Sequence, residues 1–176
     1  MSFFGNQELT KYVLIWLQSY KHTRNVFTVS ARGNIVASGS EDGSVMAYNT
    51  TVKSKIIHYL HNGPVIGVLL TDRYLISSSY DKTVRIWSLK DQIEVAKLAH
   101  KGACTNFDIS PSGKMLVVGG ERFIAFWKME NFTEAGIMSV PQWIQDIRYN
   151  KDGDKIITAG ATHNQNPLHV FEVNPY

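Results

Sequence analysis

The sequence predicts an all-β chain of about four repeated units, each a small sheet of four antiparallel strands. Three observations carry that prediction. The first is a period. His22, His61 and His100 are evenly spaced (61 − 22 = 39; 100 − 61 = 39), and Asp42 and Asp81 keep the same step (81 − 42 = 39). Tyr48 and Trp87 keep it too (87 − 48 = 39), and Trp127 follows at 40 (127 − 87 = 40). The second is that each period divides into short β-branched and aromatic runs separated by turn residues, as strands do. The third is that no stretch of useful length carries an amphipathic helical pattern. A period near 40 with four strands per unit describes the blade of a β-propeller.

The elements follow in order. Residues 1–10 read as a lead-in and residues 11–176 as propeller blades. Lys11 to Tyr20 is strand-like and stands just before His22, where a closing outer strand belongs. The units run 22–60, 61–99, 100–140 and 141–173. In the second unit Val65 to Leu70 is apolar, Asp72-Arg73 turns, and Tyr74 to Ser78 follows. Asp81-Lys82 turns again, Val84 to Leu89 alternates, and Ile93 to Leu98 closes the unit after Lys90-Asp91. The first turn is Ala31-Arg32-Gly33 in the first unit, Pro111-Ser112-Gly113 in the third and Lys151-Asp152-Gly153 in the fourth. The fourth unit stops after a third strand, Leu168 to Val173, which leaves an outer position for the N-terminal strand to fill.

Composition narrows the function classes. With 44% apolar and 19% charged residues the chain is too apolar for disorder and able to build a core. The net charge of +3 is diffuse. Lys11, Lys21 and Arg24 lie near one end and Lys53 and Lys55 on one segment, so no basic block resembles a nucleic-acid tail. A single cysteine, Cys104, excludes an internal disulfide and a cysteine-based zinc site, and suits a reducing compartment. The apolar run Tyr12 to Leu17 falls short of the about 20 residues a bilayer needs, and no signal-peptide pattern precedes it. The expectation is a soluble intracellular protein, cytoplasmic or nuclear.

On these residues the units resemble the WD-repeat family. The second unit matches best, with His61, Ser77, Asp81 and Trp87 and the run Ser78-Ser79-Tyr80-Asp81-Lys82-Thr83-Val84-Arg85-Ile86-Trp87, although Ser88 follows where the family has aspartate. The first unit offers His22, Ser38, Asp42 and Tyr48. The third keeps His100 and Trp127 but has Glu121-Arg122 in place of the aspartate. The fourth has Val140 at the histidine position and Phe171 at the tryptophan position. The resemblance implies that these residues form a structural network: carboxylate to imidazole, imidazole to serine, serine to indole. Buried polar groups need such partners, and a complete set specifies one strand arrangement. Tyr48 can stand in for the indole as a donor; Phe171 cannot.

Evenly spaced histidines also invite a metal site or a proton relay. Residues one blade apart sit on different sheets, so the spacing marks symmetry rather than convergence on one ion. No metal site, cofactor or catalytic residue is expected, since no nucleophile motif, phosphate loop or paired carboxylates appear. Asp108 reads as a solvent-facing or turn-bonding carboxylate. The resemblance further implies partner contacts three and five residues after each histidine and just before each turn aspartate. Those positions hold Asn25, Phe27 and Glu41, then Pro64, Ile66 and Tyr80, then Ala103 and Thr105, and finally Trp143 and Gln145. The expected function is a non-catalytic scaffold or adaptor within a multiprotein complex. The alternative is a propeller that binds nucleic acid or anionic lipid. Four units could close as a small ring, pair with a second copy into a larger ring, or accept blades from another chain; assembly with another half is favoured.

Overall fold

The computed structural model describes residues 21–161 and 167–173. The closing strand expected at Lys11 to Tyr20 lies outside the described residues. Within them the chain forms strands and no helix. The first sheet is β1 (Val26–Arg32), β2 (Ile35–Ser40), β3 (Ser44–Asn49) and β4 (Ser54–Leu60), antiparallel and in chain order. The second repeats it with β5 (Val65–Leu70), β6 (Tyr74–Ser79), β7 (Thr83–Ser88) and β8 (Glu94–Ala99). Short turns leave adjacent strands no route but antiparallel pairing. Three strands of the second unit differ by one residue from their expected bounds: β6 runs on to Ser79, and β7 and β8 are each shifted. Thr83 already pairs with Ala99, so β7 starts before Val84, and Ala99 extends β8 past Leu98.

The third sheet joins β9 (Cys104–Ile109), β10 (Met115–Lys128), β11 (Thr133–Tyr149), β12 (Lys155–Ala161) and β13 (Leu168–Glu172). Its two long strands are compound. Fourteen extended residues would hold the ends of β10 roughly 45 Å apart. Yet Met129 N–H donates to the Lys114 carbonyl at 2.8 Å, so β10 doubles back at Glu121-Arg122. It therefore contains the second and third strands of the third unit. β11 changes partners in a similar way: Thr133 to Ser139 pair with β10, and Trp143 to Tyr149 pair mainly with β12. The fourth unit thus continues from the third without a break in strand character. Its described strands end with β13, which pairs with β12.

Among the described residues three cores hold the units together, and each lies between neighbours. Val45, Ala47, Ile57 and Tyr59 of the first unit pack on Val65, Val68 and Leu75 of the second. Ile76, Val84, Ile86 and Leu98 pack on Phe107, Leu116, Val118 and Phe123 of the third. Val117 and Ile124 pack on Ile144, Ile147 and Ile156 of the fourth. β6 is buried along nearly all its length because both of its faces meet other apolar residues. Full burial of one such aliphatic side chain stabilises by about 1.5–3 kcal/mol. The first strands lie side by side, β1 against β5, β5 against β9 and β9 against β11, which gives the fan of a propeller.

Candidate functional site

The second unit has the most complete polar network. His61 is buried, with Nε2 2.8 Å from Ser77 Oγ and Nδ1 2.9 Å from Asp81 Oδ2. Asp81 also accepts from Asn62 N–H at 3.0 Å and from the Thr83 hydroxyl at 2.6 Å. The expected last link, serine to indole, is replaced. Ser77 meets the hydroxyl of Tyr59, from the outer strand of the preceding unit. Trp87 Nε1 has no hydrogen-bond partner among the described residues; its ring stacks on Tyr59 with centroids 4.1 Å apart. The network therefore ties two blades together, not only the strands of one. Spacing within one unit does not single out Tyr59, because its partners lie on the neighbouring sheet.

In the first unit His22 Nε2 is 2.6 Å from Ser38 Oγ, and Nδ1 is 2.6 Å from Ser44 Oγ. Ser44 stands between ring and carboxylate, with Asp42 Oδ1 3.7 Å from His22 Nδ1. Burial would raise the Asp42 pKa, but hydrogen bonds from Ser44 and Thr23 outweigh it and hold the carboxyl far below its usual range. The hydroxyls of Ser44 and Thr83, each two residues after its aspartate, complete the network beyond the expected residues; Asp-x-Ser/Thr is their signal in the sequence. The Tyr48 hydroxyl donates to Met46 Sδ at 3.3 Å.

The third unit rewires around what it lacks. Phe107 pairs with Val118 as Val68 pairs with Ser77, so valine fills the serine position. His100 Nε2 instead accepts directly from Trp127 Nε1 at 3.1 Å, while Nδ1 lies 3.3 Å from Cys104 Sγ. Burial lowers the His100 pKa to about 4, in keeping with an unprotonated Nε2 facing an indole N–H. The aspartate is deleted rather than substituted. Gly43, Lys82 and Arg122 share the turn's left-handed backbone, at φ 85°, 70° and 65°, which places Arg122 opposite Lys82.

Apart from Trp143, which pairs with Ala161, the expected contact positions fall into two backbone roles. The carbonyls of Asn25, Pro64 and Ala103 accept from Glu41, Tyr80 and Glu121 at the mouth of each first hairpin. Phe27, Ile66, Thr105 and Gln145 all occupy a bulge, where the first strand slips register against the second. A bulge re-aims its side chain. Phe27 and Tyr80 are 51% and 43% exposed, and the Tyr80 ring meets Trp143 edge-on at 6.0 Å. Asn25 Nδ2 donates to Glu41 at 3.0 Å, and Gln145 is exposed. Pro64, Ile66 and Trp143 are half-buried. Ala103 and Thr105 do not belong to the free surface: both are buried, and the Thr105 hydroxyl is held between the carbonyls of Gly119 and Ile144.

The inner strands line a groove of about 330 Å³ that includes Thr28, Ser30, Ile66, Asn106, Asp108 and Arg148. Much of its polarity links blades. Thr28 and Ser30 accept from Val68 and Leu70 N–H at 3.1 and 3.0 Å, and Asn106 donates to Asp146 at 2.7 Å. Asp108 corrects its expected role. It accepts from Tyr149 N–H at 2.8 Å and so joins the third unit to the fourth. Among the described residues no group of three or more His, Cys, Asp or Glu could hold a metal ion. No helix among them is long and apolar enough to cross a membrane.

Comparison with known proteins agrees with this geometry. The family model for the WD domain, G-beta repeat, matches residues 15–49, 54–88 and 93–128. The chain is 30% identical to a p21-activated protein kinase-interacting protein 1-like protein of Danio rerio, over 77% of this chain and 38% of that protein. It is 27% identical to the ribosome biogenesis protein YTM1 of Kluyveromyces lactis, over 96% of this chain and 42% of that one. The chain thus spans about two fifths of the length of these relatives. A chain in the crystal structure of a mitotic checkpoint complex shares the fold with a TM-score of 0.81 at 18% identity, over 89% of this chain and 50% of that one.

Proposed function

Because the chain belongs to the WD-repeat family, we propose that it is a non-catalytic interaction scaffold of a multiprotein complex, binding a protein partner at the mouths of its first hairpins. The observation that carries this reading is the Tyr80–Trp143 pair, which brings aromatic rings from the second and fourth units to one surface. Aromatic side chains of this kind anchor many interfaces. Phe27 adds an exposed ring from the first unit, and Glu41 with Asn25 supplies a polar rim. Two relatives whose names refer to kinase interaction and ribosome biogenesis favour work within assemblies.

The scaffold works as part of a larger ring. The first unit leaves Val26 and Val29 exposed at 48% and 74%, and the last leaves Leu168 and Val170 at 70% and 57%. Open apolar flanks at both ends of an arc suit further blades, from a second copy or another chain. The test is affinity capture with the intact chain, with captured proteins quantified beside Tyr80→Ala and Phe27→Ala variants. Loss of the same proteins from both variants, with melting curves kept, supports the reading. Capture unchanged by both variants, or capture abolished by nuclease, overturns it.

A further inference from the structure

A second surface lies at the opposite ends of the strands. β5 runs from the mouth at Pro64 to the turn at Thr71–Tyr74, and β6 returns from that turn to Tyr80. Six strand residues separate the two ends by roughly 20 Å. There the turn of the second unit, the first turn of the third and the start of its outer hairpin enclose a cleft of about 780 Å³. Its floor is apolar: Tyr74, Ile109 and Met115 are half-buried. Its rim is cationic, with Arg73, Lys114 and Lys128 all exposed.

The charge on this rim is unbalanced. Among the described residues none of the three cations lies within 4.0 Å of a carboxylate. Asp72 also lines the cleft, but it is engaged elsewhere. Arg32 of the neighbouring unit grips both its oxygens, at 2.6 and 2.9 Å, and holds its carboxyl below the usual range. Glu130 is the remaining acidic residue. The walls are preformed. Thr71 Oγ1 accepts from Tyr74 N–H at 2.8 Å, Leu89 N–H donates to the Arg73 carbonyl and Met129 N–H to that of Lys114. A rigid site loses less entropy on binding.

We propose that this cleft is a docking site for an acidic protein segment carrying an apolar anchor. Carboxylates of the segment meet Arg73, Lys114 and Lys128, and its apolar residue meets Met115, Ile109 and Tyr74. Charge complementarity picks an acidic partner, and the floor picks a peptide over nucleic acid. Bases need an exposed aromatic platform, whereas the Tyr74 ring is half-buried and met edge-on by Phe132, with centroids 5.7 Å apart. The proposal goes beyond the mouth face and stands independently of it. With both faces occupied the chain bridges two partners.

The test uses the full chain and a fluorescein-labelled short peptide of Glu and Asp flanking a Leu-Phe pair, read by anisotropy. Binding should weaken at least tenfold in Lys114→Glu with Lys128→Glu, and should fall as salt rises. It should also weaken when the Leu-Phe pair becomes Ser-Ser. Tyr80→Ala, on the other face, should leave it unchanged, which separates failure here from failure there. Circular dichroism checks that each variant folds; Arg73→Gln serves as a milder variant if the double reversal does not. Equal binding by the double variant, equal binding of a Lys-rich peptide, or tighter binding of single-stranded RNA overturns the proposal.

Discussion

The polar network is where single residues decide most. Ser77 serves His61 and Tyr59 at once, so Ser77→Ala strands two buried groups. We expect a loss of about 1–3 kcal/mol, read from urea denaturation; an unshifted midpoint would show that the network is dispensable. The histidines also set a pH dependence. Burial lowers the pKa of His61, with Asp81 only partly restoring it, and lowers that of His100 to about 4. The unfolded chain then binds more protons than the folded one as pH drops below about 6.5. Stability should therefore fall from pH 7 to pH 4.5, more steeply in the wild type than in His100→Gln. A flat profile between those values would contradict the buried neutral rings. In the first two units the histidine, serine and aspartate could be read from the period, because the same hydrogen-bond chemistry recurs there. Tyr59 could not, since its partners Ser77 and Trp87 lie across a sheet boundary that spacing does not reveal.

Strands and turns were legible for a different reason: apolar runs bounded by turn residues leave little choice of conformation. The second unit shows it, with Val65–Leu70 read as it folds and β7 displaced by a single residue. β10 and β11 were harder. The turn at Glu121-Arg122 has lost a residue, and the passage from Ser139 to Trp143 keeps strand character, so neither leaves a loop signature. Turn geometry makes its own prediction. Gly43 has φ 85°, and a Cβ there would stand 2.7 Å from the His61 carbonyl oxygen. Gly113 has φ 71° with nothing within 4 Å. Gly113→Ala should cost only the left-handed penalty of about 1–2 kcal/mol, and Gly43→Ala clearly more, measured by thermal melts. Equal costs would mean that the turn relaxes away from His61.

At the scale of the molecule, the all-β propeller class was legible because strand runs recur at one period, whereas flank-to-flank contacts leave no periodic mark. What the structure adds is where cohesion resides. Among the described residues three cores serve four units, so the two middle units each share two and the end units one. Hydrogen exchange should accordingly be slowest in β6 and in the second-strand part of β10, and faster in β2 and β12. Uniform protection across the four units would show that the arc unfolds as one block. Ile76→Ala, in the middle core, should cost about 2–5 kcal/mol, and its effect should spread to both neighbours. Cohesion that belongs to junctions has an arithmetic of its own. An arc of n sheets has n − 1 junctions and a ring has n, so joining the two open flanks adds a whole junction without adding a residue. In the larger ring proposed above, whatever meets those flanks would act as a keystone: it would turn a row that can fray from either end into a circle with no end to fray.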